Sequence, residues 1–154
     1  MRRVDREVTD TGEMEAIIRQ AAFCTMAMNA EEGPYAVPLS FGYAERRVYF
    51  HGAAEGAKIE LLRRDPRVCL TFVGHCETML HQQPCFGVTF YSSVVARGVA
   101  RFVDDPDEKV RGLDIIMAQQ GAPGPHTYDP GTLQATQVIA VDIDVMTGKR
   151  LPRK

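Results

Sequence analysis

The sequence predicts a mainly β domain: a small antiparallel barrel of six strands, closed or split, with helices at its periphery. Three observations lead there. Apolar and β-branched runs recur at residues 23–29, 34–43, 47–51, 68–73, 88–103 and 139–145, and each has the alternation or the short apolar character of a strand. Helical patterns occur only at 13–22, at 55–64 and after Asp105, too few to alternate with the strands as a parallel sheet requires. No glycine-rich turn follows the first strand, as a doubly wound nucleotide fold would demand.

Each element has a local cause. Asp10 and Glu13 form an N-cap and capping-box pair, and Met14, Ile17, Ile18 and Ala21 follow at helical spacing. Ala30 to Gly33 is a turn, so the strands at 23–29, 34–43 and 47–51 form an antiparallel meander. Ile59, Leu61 and Leu62 make the short helix 55–64, and Pro66 stops it. Residues 74–87 mix Gly, Pro, His and Cys and read as a long loop. Gly98 marks a bend or bulge in the longest strand. Asp105 and Pro106 start a helix with the stripe Val110, Leu113 and Met117, and the Gly/Pro-rich segment 121–131 is a loop. In the last strand Ile139, Val141, Ile143 and Val145 alternate with Asp142 and Asp144, which read as solvent-facing charges rather than a catalytic pair.

At 154 residues the chain has the length of one domain, taken as 1–154, enough to bury a core without disulfides or metal. A net charge of −2 offers no basic field for nucleic acid. No segment reaches the ~20 apolar residues of a membrane helix, and the charged start MRRVDREVTD lacks a signal-peptide core. The expectation is a cytoplasmic protein that binds no membrane, with Cys24, Cys69, Cys76 and Cys85 as reduced thiols.

The stretch YFHGAAEGAK, residues 49–58, carries the first chemical signal. A helix N-terminus presents unpaired N–H groups and a partial positive charge, which suits an anion. Here small residues lead into the helix, so a ligand can approach the backbone, and Lys58 adds an ammonium one turn in. His51 ends the preceding strand. From the residues alone, either a phosphate cradle or a flexible turn with an exposed lysine fits.

The wider pattern resembles a family. PYAVPLSFGY at 34–43, YFHGAAEGAK at 49–58, DPRVCLTF at 65–72, YSSVVARG at 91–98 and MTGK at 146–149 are similar, in order and spacing, to the flavin-binding split-barrel superfamily. Within it they are most similar to the branch related to pyridoxamine 5′-phosphate oxidase that includes the nitroimidazole-resistance proteins. The resemblance implies a six-stranded split barrel binding FMN at a homodimer interface, with FAD or a deazaflavin as alternative cofactors. It implies that Pro38, Leu39, Ser40 and Phe41 line the flavin ring through strand backbone, that His51, Gly52 and Ala53 run beside it, and that Lys58 holds the phosphate. Tyr91, Ser92 and Ser93 match the family's tyrosine-x-serine block, Ser93 being the better hydroxyl contact. Two departures stand out: Arg97 precedes Gly98 where the family runs apolar, and the substrate-phosphate residues of true pyridoxamine phosphate oxidases are not matched.

In such a site the flavin transfers electrons and the protein orients and shields it. A histidine exchanges protons near neutral pH, so His51 is the candidate catalytic residue, as proton donor or substrate contact; the rival role is a hydrogen bond to the cofactor. The function expected is oxidoreduction of a small organic substrate, nitroaromatics included. Two alternatives are a flavin-binding protein without turnover, for storage or sensing, and a metal- or heme-binding protein using His75, Cys76, His81 and Cys85, whose spacing lacks the paired C-x₂₋₄-C of zinc sites. His126 in the loop 121–131 is read as solvent-exposed rather than as part of a lid.

Overall fold

The computed structural model describes residues 3–153. Eight strands form one antiparallel sheet: β1 (Glu7–Val8), β2 (Cys24–Met28), β3 (Tyr35–Leu39), β4 (Gly42–Ala44), β5 (Arg47–Ala53), β6 (Arg67–Met79), β7 (Val88–Val103) and β8 (Thr136–Leu151). The helices are α1 (Thr11–Gln20), α2 (Ala57–Arg64), α3 (Pro106–Gln119) and α4 (Pro130–Ala135). The six expected strands are all present. The run 34–43 is divided into β3 and β4 at Ser40–Phe41, and β1 is an added two-residue strand against β8.

The strand order is β3-β2-β6-β7-β8-β5-β4. The two ends of this path, β3 and β4, are neighbours in sequence. Leu39 and Gly42 are three peptide links apart, at most about 11 Å, so the sheet must curl until its opposite edges nearly meet. That is a split barrel: an almost closed sheet whose edges stay unpaired with each other.

Alternation then sorts the side chains. Val94, Ala96 and Ala100 of β7, Val68, Leu70 and Phe72 of β6, and Val48 and Phe50 of β5 point inward to the main core, where Phe41 meets Phe72 edge-on at 5.1 Å between centroids. The outward side of β5, β7 and β8 is covered at one end by α3, where Tyr49, Val103, Val138 and Ala140 pack on Leu113 and Ile116. Further along, the same outer face is bare: Val95, Val99 and Val145 are exposed.

The caps follow the expected chemistry. Asp10 accepts from the N–H of Glu13 and Asp105 from that of Glu108, at 2.8 and 2.7 Å. The kink expected at Gly98 is there: the β7–β8 register shifts between Arg97 and Gly98, and a β-carbon on Gly98 would stand 2.0 Å from the carbonyl oxygen of Asp142. Three expectations change. Strand β6 runs on to Met79, so the loop shrinks to residues 80–87. Asp142 is no simple surface charge: it binds Arg47, which with Arg101 and Tyr49 also surrounds Glu108. His126 is tied down, its ring and Tyr128 both bonding Asp114, at 3.0 and 2.8 Å. No helix of the described residues is long and apolar enough to cross a membrane.

Candidate functional site

Strand β5 delivers His51, Gly52 and Ala53 past the end of β4. Its last partner there is Gly42, opposite Tyr49; continuing that register brings Ser40 level with His51, where pairing has ceased. The split of the barrel therefore opens between the Pro38–Phe41 corner and the end of β5. On the other side His51, Gly52 and Ala53 pair with Val138, Gln137 and Thr136 of β8.

The chain then turns into α2 through Gly56, the N-cap, at φ 112°, a conformation that favours glycine. No side chain caps this helix start, so the leading N–H groups stay available, as they do at any uncapped helix terminus. Lys58 folds back over β5: a β-carbon on Gly52 would be 3.1 Å from its Nζ. The side chain is half-buried, and among the described residues it has neither an ion-pair nor a hydrogen-bond partner. Burial pushes its pKa down. An ammonium withdrawn from water without a counter-charge is unfavourable, and a bound anion would relieve it.

Pro38 and Ser40 are exposed, Leu39 is half-buried, and Phe41 is fully buried in the core. The phenyl ring of Phe41 is thus a core group. Only backbone could serve a ligand at this corner, and β3 is an edge strand with one side of its backbone unpaired. His51 is exposed.

Tyr91, Ser92 and Ser93 lie elsewhere. They pair with Leu151, Arg150 and Lys149 at the far end of β8. Between Gln137, beside Gly52, and Arg150, beside Ser92, run roughly 40 Å of strand at ~3.3 Å per residue. One chain does not bring the two groups to one ligand. Tyr91 and Ser92 instead line a cleft with α1, of about 350 Å³, together with His75, Gln20, Arg150 and Arg153.

The alternative metal set is not gathered either. His75 and Cys76 are successive ladder residues, opposite Ser92 and Tyr91, and so point to opposite faces. His81 receives a bond from the N–H of Gln83, and among the described residues no cluster of three metal-ligating side chains occurs. The expected last strand stops short of Thr136 and Gln137, which pair with Ala53 and Gly52. The polar–β-branched lead TQV before Ile139 is the signal that could have extended the last strand to them.

The sequence profile described as pyridoxamine 5′-phosphate oxidase matches residues 10–150. Among solved structures, a candidate 5-nitroimidazole antibiotic resistance protein from Bacteroides thetaiotaomicron VPI-5482 is 35% identical, with a TM-score of 0.83 over 94% of this chain and 86% of that one. The flavocytochrome Anf3 from Azotobacter vinelandii superposes at 0.85 with 20% identity, over 99% of this chain and 72% of that one. An FAD and heme binding protein from Mycobacterium smegmatis superposes at 0.82 with 18% identity, over 97% and 76%. The last two share the fold. No curated protein sequence matches. On the profile match and the 35% identity across most of both chains, the chain belongs to the pyridoxamine 5′-phosphate oxidase family and has its split-barrel fold.

Proposed function

We propose that this chain is an FMN-dependent oxidoreductase of the cytoplasm, working as a homodimer on a small organic substrate of the nitroaromatic class. The observation that carries the reading is Lys58, a half-buried ammonium with no partner among the described residues, folded over Gly52 at an uncapped helix start. That arrangement suits a terminal phosphate. The backbone of the open edge at Pro38–Phe41, one side of which is unpaired, would be available to hydrogen-bond the polar rim of a flat ring. The nitroaromatic substrate class is supported by the 35% identity to the Bacteroides protein.

When bound, the flavin supplies two-electron chemistry. The chain's own groups do the rest. Lys58 and the first N–H groups of α2 would hold the phosphate and so orient the cofactor. His51, exposed at the end of β5, would be the group placed to donate a proton to the reduced substrate. The bare apolar outer face excludes water once a second copy covers it.

The test is the visible spectrum of the freshly purified protein, with mass spectrometry of the released ligand, followed by NAD(P)H-dependent loss of 5-nitroimidazole absorbance. Released FMN and turnover that drops in His51→Ala, with FMN affinity unchanged, support the reading. A colourless protein that takes up no added FMN refutes it. Unchanged turnover in His51→Ala removes the proton-donor role alone.

A further inference from the structure

Beneath α3 the charges do not balance. Arg101 of β7 spans both carboxylate oxygens of Glu108, at 3.0 and 2.5 Å. Arg47 of β5 gives its Nε to Asp142 at 2.5 Å and turns its Nη1 toward Glu108 at 3.5 Å. Two arginines are thus matched by two acids, and Arg111 is a third. It stands three residues after Glu108 on α3, a spacing at which helical acids and bases ordinarily pair, but the fork of Arg101 already occupies that carboxylate. Among the described residues Arg111 has neither an ion-pair nor a hydrogen-bond partner. No acceptor takes the Nη2 of Arg47 either.

These two arginines meet at a cavity of about 420 Å³, walled by Ala44, Glu45, Arg47, Tyr49, Arg111 and Ile115. Small-molecule pockets run from roughly 300 Å³ upward and set a few polar groups among apolar walls. Here the apolar wall is rigid. Gly112 lets α3 down onto the Tyr49 ring, since a β-carbon there would stand 2.7 Å from its Cδ1, and Tyr49 is buried as a result.

We infer that this cavity binds a small organic monocarboxylate, its carboxylate between Arg47 and Arg111 and its apolar or aromatic body against Tyr49 and Ile115. Three features select that class. The cations are guanidinium groups, whose planar fork of N–H donors matches a carboxylate. The apolar wall calls for a body besides the charge. Glu45 lines the rim, is exposed, and pairs with neither arginine. Water screens it there, so it leaves room for one negative charge inside and opposes a second. The site is separate from the cradle. Arg47 lies four residues before His51, ~13 Å along β5, and Tyr49 stands between them on the same face. The inference goes beyond the flavin reading and does not depend on it.

The test is calorimetric titration of the full chain, as purified, with benzoate, benzamide and phthalate, joined to NMR amide shifts during the benzoate titration. Benzoate should bind with a dissociation constant on the order of 1 mM, as suits so small a ligand, and should shift the amides of Ala44, Glu45 and Ile115. Benzamide has the same ring without the charge and phthalate carries a second charge; each should bind about tenfold more weakly or worse. Arg111→Gln changes an exposed side chain outside the ion-paired cluster, so the melting temperature should hold while benzoate affinity falls about tenfold. Glu45→Gln should bring phthalate toward benzoate in affinity. Four results overturn the inference: no benzoate binding up to roughly 10 mM, equal binding of benzoate and benzamide, unchanged benzoate affinity in Arg111→Gln, or shifts confined to the segment from His51 to Lys58.

Discussion

Lys58→Met isolates the charge on which the functional reading turns. Methionine keeps an unbranched stem of similar length, so the packing over Gly52 survives while the ammonium goes. Hydrogen bonds to charged groups contribute about 1.5–3 kcal/mol. Because Lys58 is only half-buried, solvent screening favours the lower half of that range. About 1.5–2 kcal/mol corresponds to a loss of FMN affinity of roughly 10–30-fold. Riboflavin has the same ring and no phosphate, so its affinity should change by less than about twofold on the same energy scale. The apo-protein should become slightly more stable at neutral pH. Burial lowers the pKa of Lys58, so the unfolded chain binds its proton more readily, stability rises with pH between the two values, and the folded state is penalised below them. The assay is titration of apo-protein with each flavin by fluorescence quenching at two salt concentrations, plus urea unfolding of the apo forms. Equal losses for FMN and riboflavin would show that Lys58 serves the ring or the fold; an unchanged FMN affinity would refute the cradle altogether.

Three further outcomes follow from the packing. Glu108→Gln removes the anion that Arg101, Arg47 and Tyr49 surround; with both arginines partly solvent-exposed, it should lower urea stability by about 1–1.5 kcal/mol at pH 7. Hydrogen bonds from Arg101 hold the Glu108 carboxyl below its ordinary 4.5, so this contribution is complete above that value and fades as pH falls through the lower folded one; the gap between variant and wild type should narrow in acid. Gly98→Ala, which sets a β-carbon 2.0 Å from the Asp142 carbonyl oxygen, should cost about 3 kcal/mol or more, read as loss of soluble protein or a lowered melting temperature. Glu45 and Arg46 form the β4–β5 turn at φ 51° and 60°, where asparagine is favoured. Glu45→Asn should therefore stabilise by about 0.5–1 kcal/mol in the same urea assay, while Arg46 is left in place because its guanidinium holds the carbonyls of Ile143 and Asp144.

Much of this molecule is legible residue by residue, because its causes are local. The capping acids Asp10 and Asp105, the period-two runs of β2, β5, β7 and β8, and the bulge at Gly98 depend on neighbours a few positions away. So does the run from His51 to Lys58: small residues, a glycine turn and a lysine in the first helical turn are contiguous, and β5 and α2 follow in the order they imply. The family pattern extends the reading to the whole barrel, since its blocks fall on consecutive strands.

What remained hidden depends on pairs distant in sequence. That β3 and β4 end at opposite edges of one sheet follows from long-range register, which no window of residues carries. The same holds for Asp142 as a partner of Arg47, and for Phe41 as a core ring against Phe72. Residues 74–79 looked like loop because glycine, histidine and acid interrupt the alternation, yet pairing with β7 holds them as strand. Above all, the eleven residues that the family resemblance joins into one site are divided by the length of β8. Strand pairing, set by hydrogen bonds between segments far apart in the chain, decides which of them can meet within a single copy.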